Sequence, residues 1–168
     1  MSLERLIQGI LTEWGVSLTD ENFADTPRRA ASWLNEYAPL SSEEEAAFIE
    51  RTLTPVFPES HNEMVIVKNI GFSSLCAHHL LPFRGTASIG YIPRSGVVGI
   101  SKLARLVKGI AAQATLQERT TRVVADAVFT KPDVSVAHTL RAWLSDGVEA
   151  PAKFAATVAL APAAAIAE

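Results

Sequence analysis

The sequence predicts an α+β fold, and three observations carry that prediction. Amphipathic helical patterns fill the first part of the chain, β-branched and alternating segments follow, and a helix pair then leads into two more strand-like runs. Together they give an N-terminal helical region over 1–55 and a core over 56–168 in the order β, β, α, α, β, β. The 168 residues suit one domain overall, with neither an internal repeat nor an inter-domain linker.

The elements follow in order. "LERLIQGILTEWG" places Leu3, Leu6, Ile7, Ile10, Leu11 and Trp14 at helical spacing and stops at Gly15. In "DTPRRAASWLNEY", Thr26 is expected to cap and Pro27 suits the first helical position. "SSEEEAAFIERTL" reads as a third helix opened by a capping box of Ser42 and Glu45. The period then changes: "MVIVKNI" is short and β-branched, and "TASIGYIP" alternates Ala87, Ile89 and Tyr91 with Ser88, Gly90 and Ile92. "SSLCAHH" falls in the bend between these two strands.

"SKLARLVKGIAAQ" carries Leu103, Leu106, Val107, Ile110 and Ala111, continued by Ala114 just after it, as a core-facing stripe, with Ser101 expected as its cap. "TLQERTTRVVADAVF" follows with Thr115 and Glu118 at capping-box spacing. "DVSVAHTLRAWLS" and "AKFAATVALAP" read as two strands joined by a turn, and "APAAAIAE" is expected to fray.

Composition narrows the class of function. The net charge is −3 and no Lys/Arg-dense run occurs, so nucleic acid is not an expected partner. No apolar run reaches the roughly 18 residues of a membrane span, and "MSLERLIQGI" lacks the apolar centre of a signal peptide. One cysteine cannot form an internal disulfide, and a cytoplasmic protein is the expectation.

The residues able to do chemistry are few. Cys76 and His79, three apart on a bend, have the types and spacing of half a zinc site, although a small buried hydrophobe beside an ordinary histidine gives the same pattern. His78 offers a neutral imidazole for proton transfer, or is a surface histidine. Ser101, Lys102 and Arg105 open a helix, where backbone N–H groups and two cations suit a phosphate; solvated positions on an amphipathic helix look the same. Glu118 can accept two N–H bonds from a heterocycle edge, with Gln117 beside it reading a carbonyl, or can serve only as a cap.

Three separated blocks, "DTPRRAA", "MVIVKNIGFSSLCAHHLLPFRGTASIGYIP" and "VVGISKLARLVKGIAAQATLQERTTRVVADAV", together resemble the GTP cyclohydrolase I family in order and spacing. The resemblance is close over roughly residues 20 to 130. It implies a tunnel fold, in which ββααββ subunits join their strands into an oligomeric β-barrel, with rings stacking into a larger homo-oligomer and active sites between subunits. It implies further that zinc-activated water opens the imidazole ring of GTP, giving formate and 7,8-dihydroneopterin triphosphate. By motif, Cys76 and His79 resemble zinc ligands and His78 the proton-transfer residue. Ser101, Lys102 and Arg105 fall in the phosphate-binding stretch, and Gln117 and Glu118 match the guanine-holding pair.

The chain departs from the pattern farther on. Aligned on Gly147 and Val148, Leu140 stands for a second catalytic histidine, Ala142 for the third zinc ligand and Asp146 for a phosphate-binding arginine. Ala77 and Ser88 also differ from the residues usual in the family. His138 shares strand parity with Ala142 but lies about 13 Å from it along an extended strand, so it replaces that ligand only after a register shift.

These departures make a repurposed enzyme the leading expectation, one acting on a purine, pterin or other heterocyclic small molecule with zinc altered or absent. A genuine zinc-dependent GTP cyclohydrolase is the first alternative, and a noncatalytic ring-forming or ligand-binding subunit the second.

Overall fold

The computed structural model describes residues 1–59, 63–93 and 95–130, with the backbone of two strands at 140–144 and 156–158. His138, Asp146 and the terminal "APAAAIAE" lie outside the described residues. The chain divides into two compact units, Met1–Ala38 and Pro39–Glu168.

The first unit is a helix pair, α1 (Leu3–Glu13) and α2 (Thr26–Asn35). Ser2 caps α1 by accepting from the Arg5 amide, and Gly15 takes a φ of 74° just after the helix, a conformation glycine adopts without strain. The start of α2 is one residue earlier than the sequence suggested. Asp25 takes the cap position, Thr26 is already helical and Pro27 lies in the first turn. The Asp25 carboxylate makes no cap bond; it pairs with Arg28 and Arg29, whose guanidinium groups hold it at about 2.

The second unit begins with α3 (Ser42–Leu53). Its capping box is Ser41 with Glu44, not Ser42 with Glu45: the Ser41 hydroxyl accepts from the Glu44 amide at 3.2 Å and the Glu44 carboxylate accepts from the Ser41 amide at 2.8 Å. Both serines satisfy the pattern in sequence, and the shift by one frees Glu45 for another contact.

Short strand β1 (Val56–Pro58) pairs antiparallel with β4 (Gly96–Val98). The main sheet has five strands in the order β5-β2-β3-β6-β7, made of β2 (Val65–Cys76), β3 (Pro82–Tyr91), β5 (Ala114–Thr115), β6 (Leu140–Leu144) and β7 (Ala156–Val158). β2 is longer than its β-branched run because it continues through "FSSLC", so only Ala77 to Leu81 form the bend. A bulge between Val67 and Ile70 absorbs a register change, with Asn69 at φ 58°, a region asparagine tolerates.

Between β4 and β5 lies α4 (Ile100–Ala111), and α5 (Gln117–Phe129) follows β5. The alternation read in β3 is observed, since Ala87, Ile89 and Tyr91 are buried. They join Ile70 and Phe72 of β2, Leu103, Leu106, Val107, Ile110 and Ala111 of α4, and Val124, Ala127 and Val128 of α5 in one core. Each large aliphatic or aromatic side chain so buried contributes about 1.5–3 kcal/mol. α3 packs closely on α4 because position 109 is glycine: a Cβ there would lie 2.0 Å from Cζ of Phe48.

Two helix starts differ from expectation. Gly99, not Ser101, occupies the cap position of α4, and no side chain caps it. Leu116 occupies that of α5, again without a side-chain cap, so Thr115 and Glu118 form no capping box. Both follow from short strands that run directly into the helices, leaving backbone geometry to set the boundary.

Candidate active site

The ladder of β2 and β3 has two ends. At one, Leu75 faces Pro82 and the chain turns through Ala77, His78 and His79; at the other, Val65 faces Tyr91. The turn is fixed by backbone bonds: Cys76 N–H donates to Leu81 O at 2.8 Å and Leu80 N–H to Cys76 O at 2.8 Å, with Leu80 at φ 54°.

Within this bend the Cys76 Sγ lies 3.7 Å from His79 Nδ1 and 3.9 Å from His78 Nδ1. Zinc–sulfur and zinc–nitrogen bonds of about 2.3 and 2.05 Å at a tetrahedral angle put the two donors about 3.6 Å apart, so Cys76 and His79 stand where two ligands of one zinc would. The Cys76 thiol is held below the ordinary thiol range, chiefly by a hydrogen bond from the His78 backbone, with part burial opposing. Among the described residues no cluster of three or more His, Cys, Asp or Glu side chains completes a metal site.

The start of α5 is brought to the same end. β5 lies parallel to β2, with Leu75 opposite Ala114 and Cys76 opposite Thr115, and the Ala77 amide donates to Thr115 O at 3.2 Å. Gln117 and Glu118 follow within three residues. Gln117 is half-buried, and Glu118 is exposed, its side chain making no ion pair or hydrogen bond among the described residues. Cys76, His78, His79, Gln117 and Glu118 are thus assembled by one strand pairing.

Ser101, Lys102 and Arg105 are not part of that assembly. The Tyr91 hydroxyl donates to Val98 O at 3.2 Å and accepts from Val98 N at 3.0 Å, which fixes the start of α4 at the Tyr91 end of the ladder. α4 then runs back toward Leu75 over about 18 Å. Lys102 Nζ donates to Thr54 O, while Ser101 and Arg105 open onto a groove of about 490 Å³ shared with Phe48, Ala104, Lys108 and Gly109. Lys108 was missed in the sequence; its place three residues after Arg105, on the same helix face, was the available signal.

The altered positions stand elsewhere again. In β6, Ala142 pairs with Ala87, which itself faces Ile70, and Leu140 pairs with Val158 of β7. Ile70 is six residues from Cys76 along β2, roughly 20 Å, so this register does not bring Ala142 to the thiol–imidazole end.

A sequence model of GTP cyclohydrolase I matches residues 3–140. GTP cyclohydrolase 1 of Carboxydothermus hydrogenoformans is 44% identical over 130 residues, covering 77% of this chain and 66% of its own length. The Brevibacillus brevis protein of the same name is 42% identical over 132 residues, with 78% and 68% covered. That of Bacillus subtilis is 40% identical over 128 residues, with 75% and 65% covered. The chain thus spans about two thirds of these relatives' length. Ala142 and Asp146 fall beyond the family match, whereas Cys76, His78, His79, Ser101, Lys102, Arg105, Gln117 and Glu118 lie within it. No helix among the described residues is long and apolar enough to cross a membrane. With a match over most of its length and such relatives, the chain belongs to the GTP cyclohydrolase I family.

Proposed function

We propose that the chain is a GTP cyclohydrolase of this family, converting GTP and water to formate and 7,8-dihydroneopterin triphosphate in a homo-oligomer. This is the first alternative of the sequence reading; relatives with that name at 40 to 44% identity support it over the repurposed enzyme. One observation carries it: the β2–β5 pairing sets the Cys76–His79 pair beside the start of α5, where Gln117 and Glu118 stand.

Each group has a task that its chemistry suits. Glu118 accepts two N–H bonds from the guanine edge, and Gln117 engages the adjacent carbonyl. Cys76 and His79 would hold zinc, which supplies a water acidified enough to act as a nucleophile near neutral pH. His78, exposed beside them, holds or delivers a proton at its imidazole nitrogen. The remaining coordination falls to His138, water or a neighbouring copy.

Lys102 and Arg105 supply positive charge for the triphosphate, with Ser101 beside them. Lys102 lies in the first turn of α4, where it bonds Thr54 O rather than facing the Cys76 bend, and on this reading one copy provides the heterocycle and metal end and another the phosphate end. Asp146, in place of an arginine, leaves the phosphates more dependent on Lys102 and Arg105.

The test is metal analysis of protein purified without chelators, paired with GTP turnover read by formate and by pterin fluorescence after oxidation. Zinc near one per chain and both products are expected. Absence of zinc and of turnover, with a ligand still held at Glu118, would restore the repurposed reading.

A further inference from the structure

The segment that carries Gln117 and Glu118 is tied on one side to the residue just ahead of α3 and on the other to its first turn. Before it stands Gln113, which is 3% exposed. The Gln113 side-chain oxygen accepts from the Leu40 amide at 3.1 Å, just ahead of α3, and its Nε2 donates to Ile110 O at 3.3 Å. Its own carbonyl accepts from Ser74 Oγ at 3.1 Å and from the Leu75 amide at 3.3 Å, next to Cys76. After the segment stands Arg119, whose guanidinium makes a two-pronged pair with Glu45 of α3, at 3.0 and 3.1 Å. The Glu45 side chain is only 13% exposed, unlike the carboxylates of a solvated face.

We propose that the start of α3 is a brace for the site, with Gln113, Glu45 and Arg119 as positioning residues that set where Gln117 and Glu118 stand relative to the Cys76 bend. None of the three touches substrate. α5 needs such support because its start carries no side-chain cap, and β5, which leads into it and pairs with β2, is only two residues long. A buried glutamine whose side-chain amide serves two partners and whose backbone carbonyl serves two more is costly unless every partner is met, so the Gln113 node holds one geometry.

The substrate arm rests on the GTP reading above; the structural arm does not. Amide hydrogen exchange of the full chain reports the brace directly through the amides of Ala77, bonded to Thr115 O, and Thr120, bonded to Leu116 O. Gln113→Leu, which keeps bulk and removes both side-chain bonds, is expected to speed exchange at these two amides about tenfold while Leu106 and Val107 in α4 keep their protection. Glu45→Gln and Arg119→Gln should each give about fivefold, and the double variant no more than either alone.

Where the wild-type chain binds GTP, the same variants raise KM several-fold with kcat and zinc content little changed. Uniform acceleration over all core amides would reduce the contacts to general stability and overturn the brace, as would unchanged exchange at Ala77 and Thr120. Failure of wild-type GTP binding would count against the proposed function alone, because exchange still decides the brace.

Discussion

The two ends of the β2–β3 ladder hold different halves of the expected chemistry. The Leu75 end gathers a thiol, two imidazoles, an amide and a carboxylate through two-residue β5. The Val65 end has the start of α4, with its cations on the groove beside Phe48 and on Thr54. Ser101, Lys102 and Arg105 fall in the first half of α4, and Ser74, close to Cys76, meets the carbonyl of Gln113 just past its other end. On the proposed function, such a chain is folded and locally well formed yet depends on a second copy for activity.

The largest effect should come from the Leu75 end. Cys76→Ser replaces the thiol that stands 3.7 Å from His79 Nδ1 and, on the proposed function, is expected to remove bound zinc and lower kcat by about a thousandfold or more, with little change in melting temperature. Mixing Cys76→Ser with Arg105→Ala, each inactive alone, then tests the division between copies. Subunits re-assembled at random should recover up to about a quarter of wild-type turnover if each site takes one end from each of two copies. No recovery would put both ends in one copy.

Glu118→Ala comes next. A carboxylate holding two N–H groups of a heterocycle typically contributes enough that its loss weakens binding about a hundredfold, so KM for GTP should rise far more than kcat falls. Unchanged KM would remove Glu118 from the substrate site and return it to a solvated helix start.

The Leu75 end was also the more legible. Cys76, His78 and His79 announce themselves by type and spacing, and α4 by its stripe of Leu103, Leu106, Val107 and Ile110, all buried as read. What failed were boundaries decided by competition between neighbours. Ser41 and Ser42 both precede a glutamate by three residues, and only packing chose Ser41, leaving Glu45 for Arg119. The Thr115–Glu118 spacing matched a capping box, but Thr115 is committed to β5 opposite Cys76. The bracing role of Gln113 was not readable locally, because the partners that carry it, Leu40 and Ser74, are far away in sequence. The placement of Leu140 and Ala142 relied on an alignment that runs past residue 140, where the family match stops.

Smaller effects sharpen the groove between α3 and α4, which runs from Ser101 to Gly109. Gly109→Ala drives a methyl into the Phe48 ring and should cost about 1–3 kcal/mol by overpacking, read as a lower denaturant midpoint. Because α3 must move to relieve it, the same change should also raise KM for the phosphate-bearing substrate more than that for a nucleoside lacking phosphates. Equal changes for both would separate the groove from phosphate binding.

Tyr91 gives the smallest effect and a distinct pH signature. Its hydroxyl both donates to Val98 O and accepts from Val98 N, so Tyr91→Phe leaves a buried pair unmet and should cost about 1–2 kcal/mol near neutral pH. Burial raises the Tyr91 pKa above its ordinary value of 10.0, with the hydrogen bond from the Val98 backbone N–H opposing. The neutral hydroxyl is therefore the form the folded chain favours. Its contribution is fully present below the unfolded value and fades as pH rises through the higher folded one, because the unfolded chain ionises first. Stability measured from pH 8 to 11 should fall more steeply in the wild type than in Tyr91→Phe, the two curves converging at the alkaline end. Parallel curves would mean that Tyr91 is held by packing alone, and that the start of α4 is fixed by the β1–β4 pair rather than by this hydroxyl.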